Sequence, residues 1–213
     1  MKYRHWFFDL DGTLARTGED IVSAWKGALA GLGRDLSRFD SVFRIGPPLE
    51  QIVYELYDDA TPELVADMIA RFKPLYDESG FPNTVEYPGV PELLAAITGG
   101  GGKAYIVTNK RHSATVRLAG KFGWNRVMTA VRSFDSFETK CSKAGLIARL
   151  MGDFSAAPEE AVMVGDTAGD VEAGKANSIA TAGVTYGYGS RGELAGADWI
   201  FDSAADIAKT LVK

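Results

Sequence analysis

The chain has 213 residues, 46% hydrophobic and 24% charged, the balance of a folded globular protein long enough to bury a sizeable core. Its 23 Lys and Arg against 28 Asp and Glu leave a net charge of −5, which excludes a general attraction to nucleic acid or to an anionic membrane, so any phosphate site must be built locally. The one cysteine, Cys141, excludes an internal disulfide and a paired-cysteine metal site, and it reads as a small residue beside a helix in a protein of a reducing compartment.

In chain order, residues 3–10 form a short aromatic run ending in Asp-Gly, the pattern of a buried strand that delivers residues to a turn. The run meets Asp9 before a signal-peptide apolar stretch can develop, and no later segment approaches about 18 apolar residues. A cytoplasmic location follows as the expectation. Helical material comes next. Residues 19–32 repeat apolar positions at Ile21, Trp25, Ala28 and Leu29 and stop at Gly33. Pro47-Pro48 opens a second helix with Leu49, Ile52, Val53 and Leu56 on one face. Thr61-Pro62-Glu63 caps a third over 64–76, whose end Pro74 is expected to bend. No strand is expected between residue 15 and about residue 83, and Trp25, Tyr54, Tyr57, Phe72 and Tyr76 fall at the spacing of a small aromatic core.

From Tyr87-Pro88-Gly89 the pattern changes to alternation: helix 92–97, strand 104–108, helix 113–122, strand 127–131, helix 143–151, strand 161–164, helix 170–176, strand 179–184 and helix 204–212. Strand and helix in alternation predict an α/β fold, a Rossmann-like parallel sheet with helices on both faces. Joining the first strand to this block gives a core of 1–14 plus 84–213 with an all-helical cap of 15–83 inserted. Gly99 to Gly102 before Lys103 precedes a strand and lacks the Ser/Thr of a phosphate loop, so it reads as a turn.

Ligands of an open parallel sheet collect beyond the carboxyl ends of its strands. Four such places carry suitable polar residues. Asp9 and Asp11 flank Leu10 after the first strand, and two carboxylates so close repel unless a cation lies between them or one is protonated. Either condition serves chemistry: Mg²⁺ takes oxygen ligands, a carboxylate can attack phosphorus, and a protonated neighbour can donate to a leaving oxygen. Thr108, Asn109 and Lys110 follow the next strand and suit phosphoryl oxygens. Lys143 stands at a helix start, where a cation opposes the helix dipole. Asp166 and Asp170 surround the turn after strand 161–164 and serve either as cation ligands or as caps of the following helix. Only His5 and His112 are present, which argues against a histidine zinc site or a Ser-His triad.

The runs Phe8-Asp9-Leu10-Asp11-Gly12-Thr13-Leu14, Val107-Thr108-Asn109-Lys110, Lys143, and Val164-Gly165-Asp166-Thr167 with Asp170 resemble the haloacid dehalogenase superfamily over essentially the whole chain. The helical insertion, together with Ile45-Gly46-Pro47-Pro48-Leu49, Tyr87-Pro88-Gly89-Val90 and Gly183 to Gly189, resembles its phosphoglycolate phosphatase-like branch. The resemblance implies a Mg²⁺-dependent phosphatase acting on a small phosphorylated metabolite, with no nucleic-acid partner. It implies Asp9 as nucleophile and metal ligand, Asp11 as general acid/base with its backbone carbonyl on Mg²⁺, and Thr108 and Lys143 as phosphate holders. Asp166 is implied as metal ligand and Asp170 as a supporting carboxylate at the metal; Gly12 and Thr13 shape the first loop, and Asn109 borders the phosphate. Lys140 competes with Lys143 for the same place in the pattern. Arg16, Thr17, Arg44 and Gly46 are the cap-side candidates, the cap being expected to close as a lid. Dehalogenation is disfavoured, because that branch lacks an acid at the position of Asp11. A sugar phosphomutase and a nucleotidase or pyrophosphatase share these motifs, whereas a non-catalytic binding protein would lack one of the groups, and none is missing.

Overall fold

A computed structural model describes residues 1–212. In chain order it contains β1 (His5–Phe8), β2 (Ala15–Arg16), α1 (Gly18–Gly31), α2 (Phe39–Val42), α3 (Leu49–Leu56), α4 (Pro62–Asp77), β3 (Val85–Glu86), α5 (Val90–Gly99), β4 (Lys103–Thr108) and α6 (His112–Lys121). It continues with β5 (Met128–Ser133), α7 (Lys143–Asp153), β6 (Ala161–Gly165), α8 (Ala168–Ala176), β7 (Ala180–Val184), β8 (Trp199–Phe201) and α9 (Ala204–Ile207), which widens into a π-type turn over Ala208–Val212. The chain divides into two compact units, Met1–Arg16 with the chain from Val85 onward, and Thr17–Thr84.

The first unit is a Rossmann-type α/β fold. Its six-stranded sheet has the order β5-β4-β1-β6-β7-β8, and every pairing is parallel. Such strands are covered on both faces and are therefore largely apolar, as in the buried Trp6-Phe7-Phe8, which follows the buried His5, and Ala161-Val162-Met163-Val164-Gly165. Side chains alternate across the sheet. Phe7, Tyr105, Val107 and Met163 meet Leu146, Ile147 and Leu150 of α7 and Ala173 of α8 on one face. Trp6, Phe8, Ala104 and Ile106 are left for the other, where α5 touches β4 and α9. The register sets Phe8 level with Ile106 of β4 and Val164 of β6, so the chain leaves these three central strands side by side.

The second unit is helical. Its core is Trp25 against Phe39, Phe43 and Phe72, with ring centroids 5.4–6.3 Å apart, and Phe72 continues onto Tyr76. Asp20 near the start of α1 accepts hydrogen bonds from the backbone and side-chain amides of Asn83 and from the Thr84 hydroxyl at 2.7 Å, pinning the unit's entry to its exit. Tyr54 is exposed, and Tyr57 turns its hydroxyl to the Asp35 carbonyl at 2.8 Å, so of the five aromatics expected in this core Trp25, Phe72 and Tyr76 are buried.

The structure departs from sequence expectation in short elements. A strand does occur in the stretch expected to have none: Ala15–Arg16 pairs antiparallel with Val85–Glu86. Two residues cannot display a period, and the pairing partner lies about 70 positions away. Strand β8 and helix α2 are missed for the same reason. Helix α4 passes through Pro74 to Asp77, because so near the helix end a proline removes one hydrogen bond while Phe72 and Tyr76 remain anchored in the core. The tetraglycine turn ends α5, Gly102 N–H bonding the Ile97 carbonyl at 2.9 Å. Among the described residues no helix is long and apolar enough to cross a membrane.

Candidate active site

The level ends of β4, β1 and β6 bring the strand-end residues together. Asp9 follows β1 directly and is buried, its N–H bonding the Val164 carbonyl at 3.0 Å. Lys143, the first residue of α7, reaches Asp9 Oδ1 at 2.9 Å and Asp170 Oδ1 at 2.5 Å. Ser142 caps α7 by accepting from Gly145 N–H, which aims Lys143 across the sheet. A cation at a helix start is disfavoured by about 0.3–1 kcal/mol. Two buried carboxylates outweigh that cost, and they raise the Lys143 pKa even though burial alone would lower it. Lys140, the competing lysine, is exposed.

Asp166 follows β6 and is fully buried. Its Oδ1 accepts from the Thr13 hydroxyl at 3.1 Å and its Oδ2 from the Tyr188 N–H at 2.7 Å, so both oxygens are aimed. Gly12 makes this approach possible: its φ is +87°, and a Cβ there would lie 2.1 Å from Asp166 Oδ2. Gly187 meets the same limit, since its Cβ would lie 2.3 Å from that of Asp166. Tyr186 closes the loop by donating to the Thr13 carbonyl at 3.1 Å and packing its ring against Tyr87 at a tilt of 51°.

Asp170 occupies the third helical position of α8. Its Oδ2 accepts from the Thr167 N–H at 3.0 Å and the Thr167 hydroxyl at 2.8 Å, a capping-box arrangement, while its Oδ1 takes Lys143. The capping reading of this residue therefore holds on Oδ2, while Oδ1 faces the Lys143 ammonium.

Asp11 stands apart. Lys110 Nζ lies 2.8 Å from its Oδ1 and 2.9 Å from its Oδ2, in a pair whose side chains are 5% and 13% exposed. Thr108 is buried at the end of β4 and accepts the Lys110 N–H on its hydroxyl oxygen at 3.1 Å, while Asn109 beside it is exposed.

Asp9, Asp166 and Asp170 each offer a carboxylate oxygen within 4.8 Å of the others. Asp9 Oδ1 is buried without a well-aligned hydrogen bond, although Lys143 Nζ lies within ion-pair distance. Burial, then the neighbouring carboxylates, push Asp9 up to about 7 against the pull of Lys143; burial and Asp170 push Asp166 up to about 6. An oxygen-only donor set with an under-bonded buried oxygen and excess negative charge fits a hard divalent cation such as Mg²⁺.

A family model described as haloacid dehalogenase-like hydrolase matches residues 6–184. The chain belongs to this family. Among curated proteins, this hydrolase is 32% identical over 199 residues to a 5'-nucleotidase of Pseudomonas aeruginosa, covering 91% of this chain and 88% of that one. It is 32% identical over 190 residues to a phosphoglycolate phosphatase of Photobacterium profundum, covering 85% and 82%. Among solved structures it superposes on a predicted phosphatase from Clostridium acetobutylicum with a TM-score of 0.85 and 27% identity, covering 100% and 99%. It lies in the phosphatase-like branch of the family.

Of the residues read from sequence, the hydrolase brings Asp9, Asp166, Asp170 and Lys143 into one cluster and ties Thr13 to it. Arg44 and Gly46 belong to the helical unit, where the Arg44 guanidinium grips both oxygens of Glu55 at 2.5 and 2.9 Å. Thr17 is the buried N-cap residue of α1, and Arg16 lies in β2. Sequence reasoning missed the Tyr188 backbone as a partner of Asp166 and assigned Lys110 to phosphate oxygens, where the structure gives it to Asp11. The glycine-rich Gly187-Tyr188-Gly189 was the available signal for the first. The second has none, because the pair joins residues 99 positions apart.

Proposed function

We propose that this hydrolase is a magnesium-dependent phosphatase of a small phosphorylated metabolite, a monoester of the 2-phosphoglycolate type, working through an aspartyl phosphate on Asp9. The observation that carries the reading is the Asp9 carboxylate, buried at the end of β1, faced by Lys143 and grouped with Asp166 and Asp170.

Asp9 attacks phosphorus in line; its O–P bond forms as the bond to the leaving alcohol breaks. Asp11 gives a proton to the departing oxygen. Lys143 and the Thr108 hydroxyl balance the charge on the non-bridging oxygens in a site shielded from bulk water, where such charges act strongly. Water then attacks the aspartyl phosphate with Asp11 taking its proton, which returns Asp9 as a carboxylate and releases inorganic phosphate. Asp9, Asp166 and the Asp11 carbonyl, with Asp170 in support, would hold Mg²⁺, which when bound would supply positive charge favouring the ionised Asp9 and offsetting the charge of the phosphoryl group.

A nucleoside 5'-monophosphate is the second reading, favoured by the 5'-nucleotidase relative that aligns over 91% of the chain. The test is phosphate release from 2-phosphoglycolate, nucleoside 5'-monophosphates and hexose phosphates, in Mg²⁺ and in EDTA. Metal-dependent release with 2-phosphoglycolate ahead is expected, and a nucleotide ahead selects the second reading. Isomerisation of a hexose phosphate without phosphate release overturns both.

A further inference from the structure

We propose that Lys110 is a positioning residue that holds the Asp11 carboxylate toward the reacting oxygens, an inference that rests on the reading of Asp11 as the proton-transferring group. The local chain at Asp11 is poorly suited to fix its own side chain. Gly12 follows at once with φ +87° and no side chain to pack against, and Asp11 is not in the carboxylate cluster that holds Asp9. A general acid must nevertheless lie within hydrogen-bond reach of the oxygen it serves, so its rotamer has to be set from elsewhere.

Lys110 sets it. Its ammonium contacts both Asp11 oxygens, at 2.8 and 2.9 Å, which fixes the direction in which the carboxylate points. The two side chains are 5% and 13% exposed, whereas those of the surface pair Arg191–Asp202 are 66% and 72% exposed, so solvent does not loosen the contact. The lysine stem rises from an anchored turn. Lys110 N–H bonds Thr108 Oγ1 at 3.1 Å, the Thr108 carbonyl accepts the Phe134 N–H at 3.1 Å, and His112 N–H bonds Asp135 Oδ1 at 2.8 Å. The β4–α6 turn thus locates a cation against the β1 loop, and the grip passes from strand to strand.

A residue that positions a proton donor leaves a signature that a phosphate-binding or purely structural lysine does not. An alkyl leaving group needs the proton, whereas p-nitrophenolate departs without it. The parameter kcat/KM covers only the steps up to release of that group and is therefore free of the later water attack. The full-length chain in Mg²⁺ is assayed on p-nitrophenyl phosphate and on the alkyl monoester it turns over fastest. Lys110→Met is expected to lower kcat/KM for the alkyl ester by about 100-fold and for p-nitrophenyl phosphate by under about tenfold. Activity on the aryl ester is also the control that the variant folds. Lys110→Arg restores the alkyl ester to within about tenfold of the wild type, since a guanidinium can grip both oxygens.

Asp11→Asn, measured alongside, keeps the two levels apart. If it shows no difference between the esters, the proton-transfer reading of Asp11 fails. If it shows the split and Lys110→Met does not, the positioning role is overturned. Equal loss on both esters in folded Lys110→Met also overturns it, and where that variant fails to fold the same comparison is read from Lys110→Gln.

Discussion

The two acidic loops of the site are built differently. After β1, Asp9 and Asp11 are separated by one residue and each is faced by a lysine: Asp9 by Lys143, Asp11 by Lys110. After β6, Asp166 and Asp170 are four apart and are held largely by fixed dipoles, Asp166 by the Tyr188 N–H and the Thr13 hydroxyl, Asp170 by the Thr167 N–H and hydroxyl. Backbone amides and short hydroxyls cannot relocate, so the β6 loop is a rigid support. Ammonium groups on long stems can follow a changing charge, which suits carboxylates whose charge changes during reaction. Under the proposed mechanism the difference would separate reacting groups from holding groups, and substitutions in the two loops should differ accordingly.

The largest expected effect lies in the β1 loop. Asp9→Asn keeps the shape and removes the attacking oxygen, and turnover should fall by about 10⁴-fold or more, the scale seen when a nucleophile is lost. Mass spectrometry of the wild type quenched in acid should show a phosphoryl adduct that the variant lacks. Appreciable magnesium-dependent turnover by the variant would overturn the assignment of Asp9.

Lys143→Met comes next, because this lysine touches both loops. Removing it leaves Asp9 and Asp170 buried without their cation, a loss of about 3–5 kcal/mol in the metal-free protein by the scale of broken buried pairs. Turnover should fall about 10²–10³-fold through the lost charge stabilisation. Lys140→Met, at an exposed position, should change melting and turnover little. The reverse order of effects would return the phosphate-holding role to Lys140.

The contrast between the loops also marks what the sequence makes legible. Parallel strands are mostly apolar runs of four to six residues between helices of nine or more, so β1, β4, β6 and the helices α5 to α8 can be read off the pattern. The strand-end rule then points at Asp9, Thr108 and Asp166 without any knowledge of contacts. Elements too short to repeat a period, β2, β3, β8 and α2, carry no such signal. Pairings are the other blind spot. That Thr13 belongs to Asp166, 153 positions away, and Lys110 to Asp11 depends on strand order and register, and no local spacing encodes either.

In the β6 loop the effects should fall on metal affinity before rate. Thr13→Val removes the hydroxyl from Asp166 Oδ1 at constant shape. A supporting partner of this kind is worth about 10–100-fold in metal affinity, and the lost buried hydrogen bond about 1 kcal/mol. Titration of the variant with Mg²⁺ should therefore need more metal to reach half-maximal turnover, with the plateau near that of the wild type. A plateau lowered as far as in Lys143→Met, at unchanged metal requirement, would erase the distinction between holding and reacting loops.

The smallest effect is on stability without metal, and its sign follows from the raised carboxylates. Asp9, pushed up to about 7, and Asp166, pushed up to about 6, keep protons in the folded chain that an unfolded chain releases near 3.8. More protons bound in the folded state means stability that is present below about pH 4 and is lost as pH rises toward 7. The exposed acids Asp35, Glu55, Asp59, Glu63, Asp202 and Asp206 are shifted down by their hydrogen bonds, so their contribution disappears only in more acid solution. His5, lowered by burial, works the other way below about 6.5. The difference between wild type and Asp9→Asn cancels it. In EDTA, Asp9→Asn should gain on the wild type as pH rises from 5 to 8, by a few degrees of melting temperature at about 2–4 °C per kcal/mol. Saturating Mg²⁺ should remove most of that gain, because a cation among the three carboxylates relieves in the wild type the repulsion that the amide relieves in the variant. A gap that stays constant with pH would mean that Asp9 is ionised throughout, and that Lys143 alone outweighs its burial.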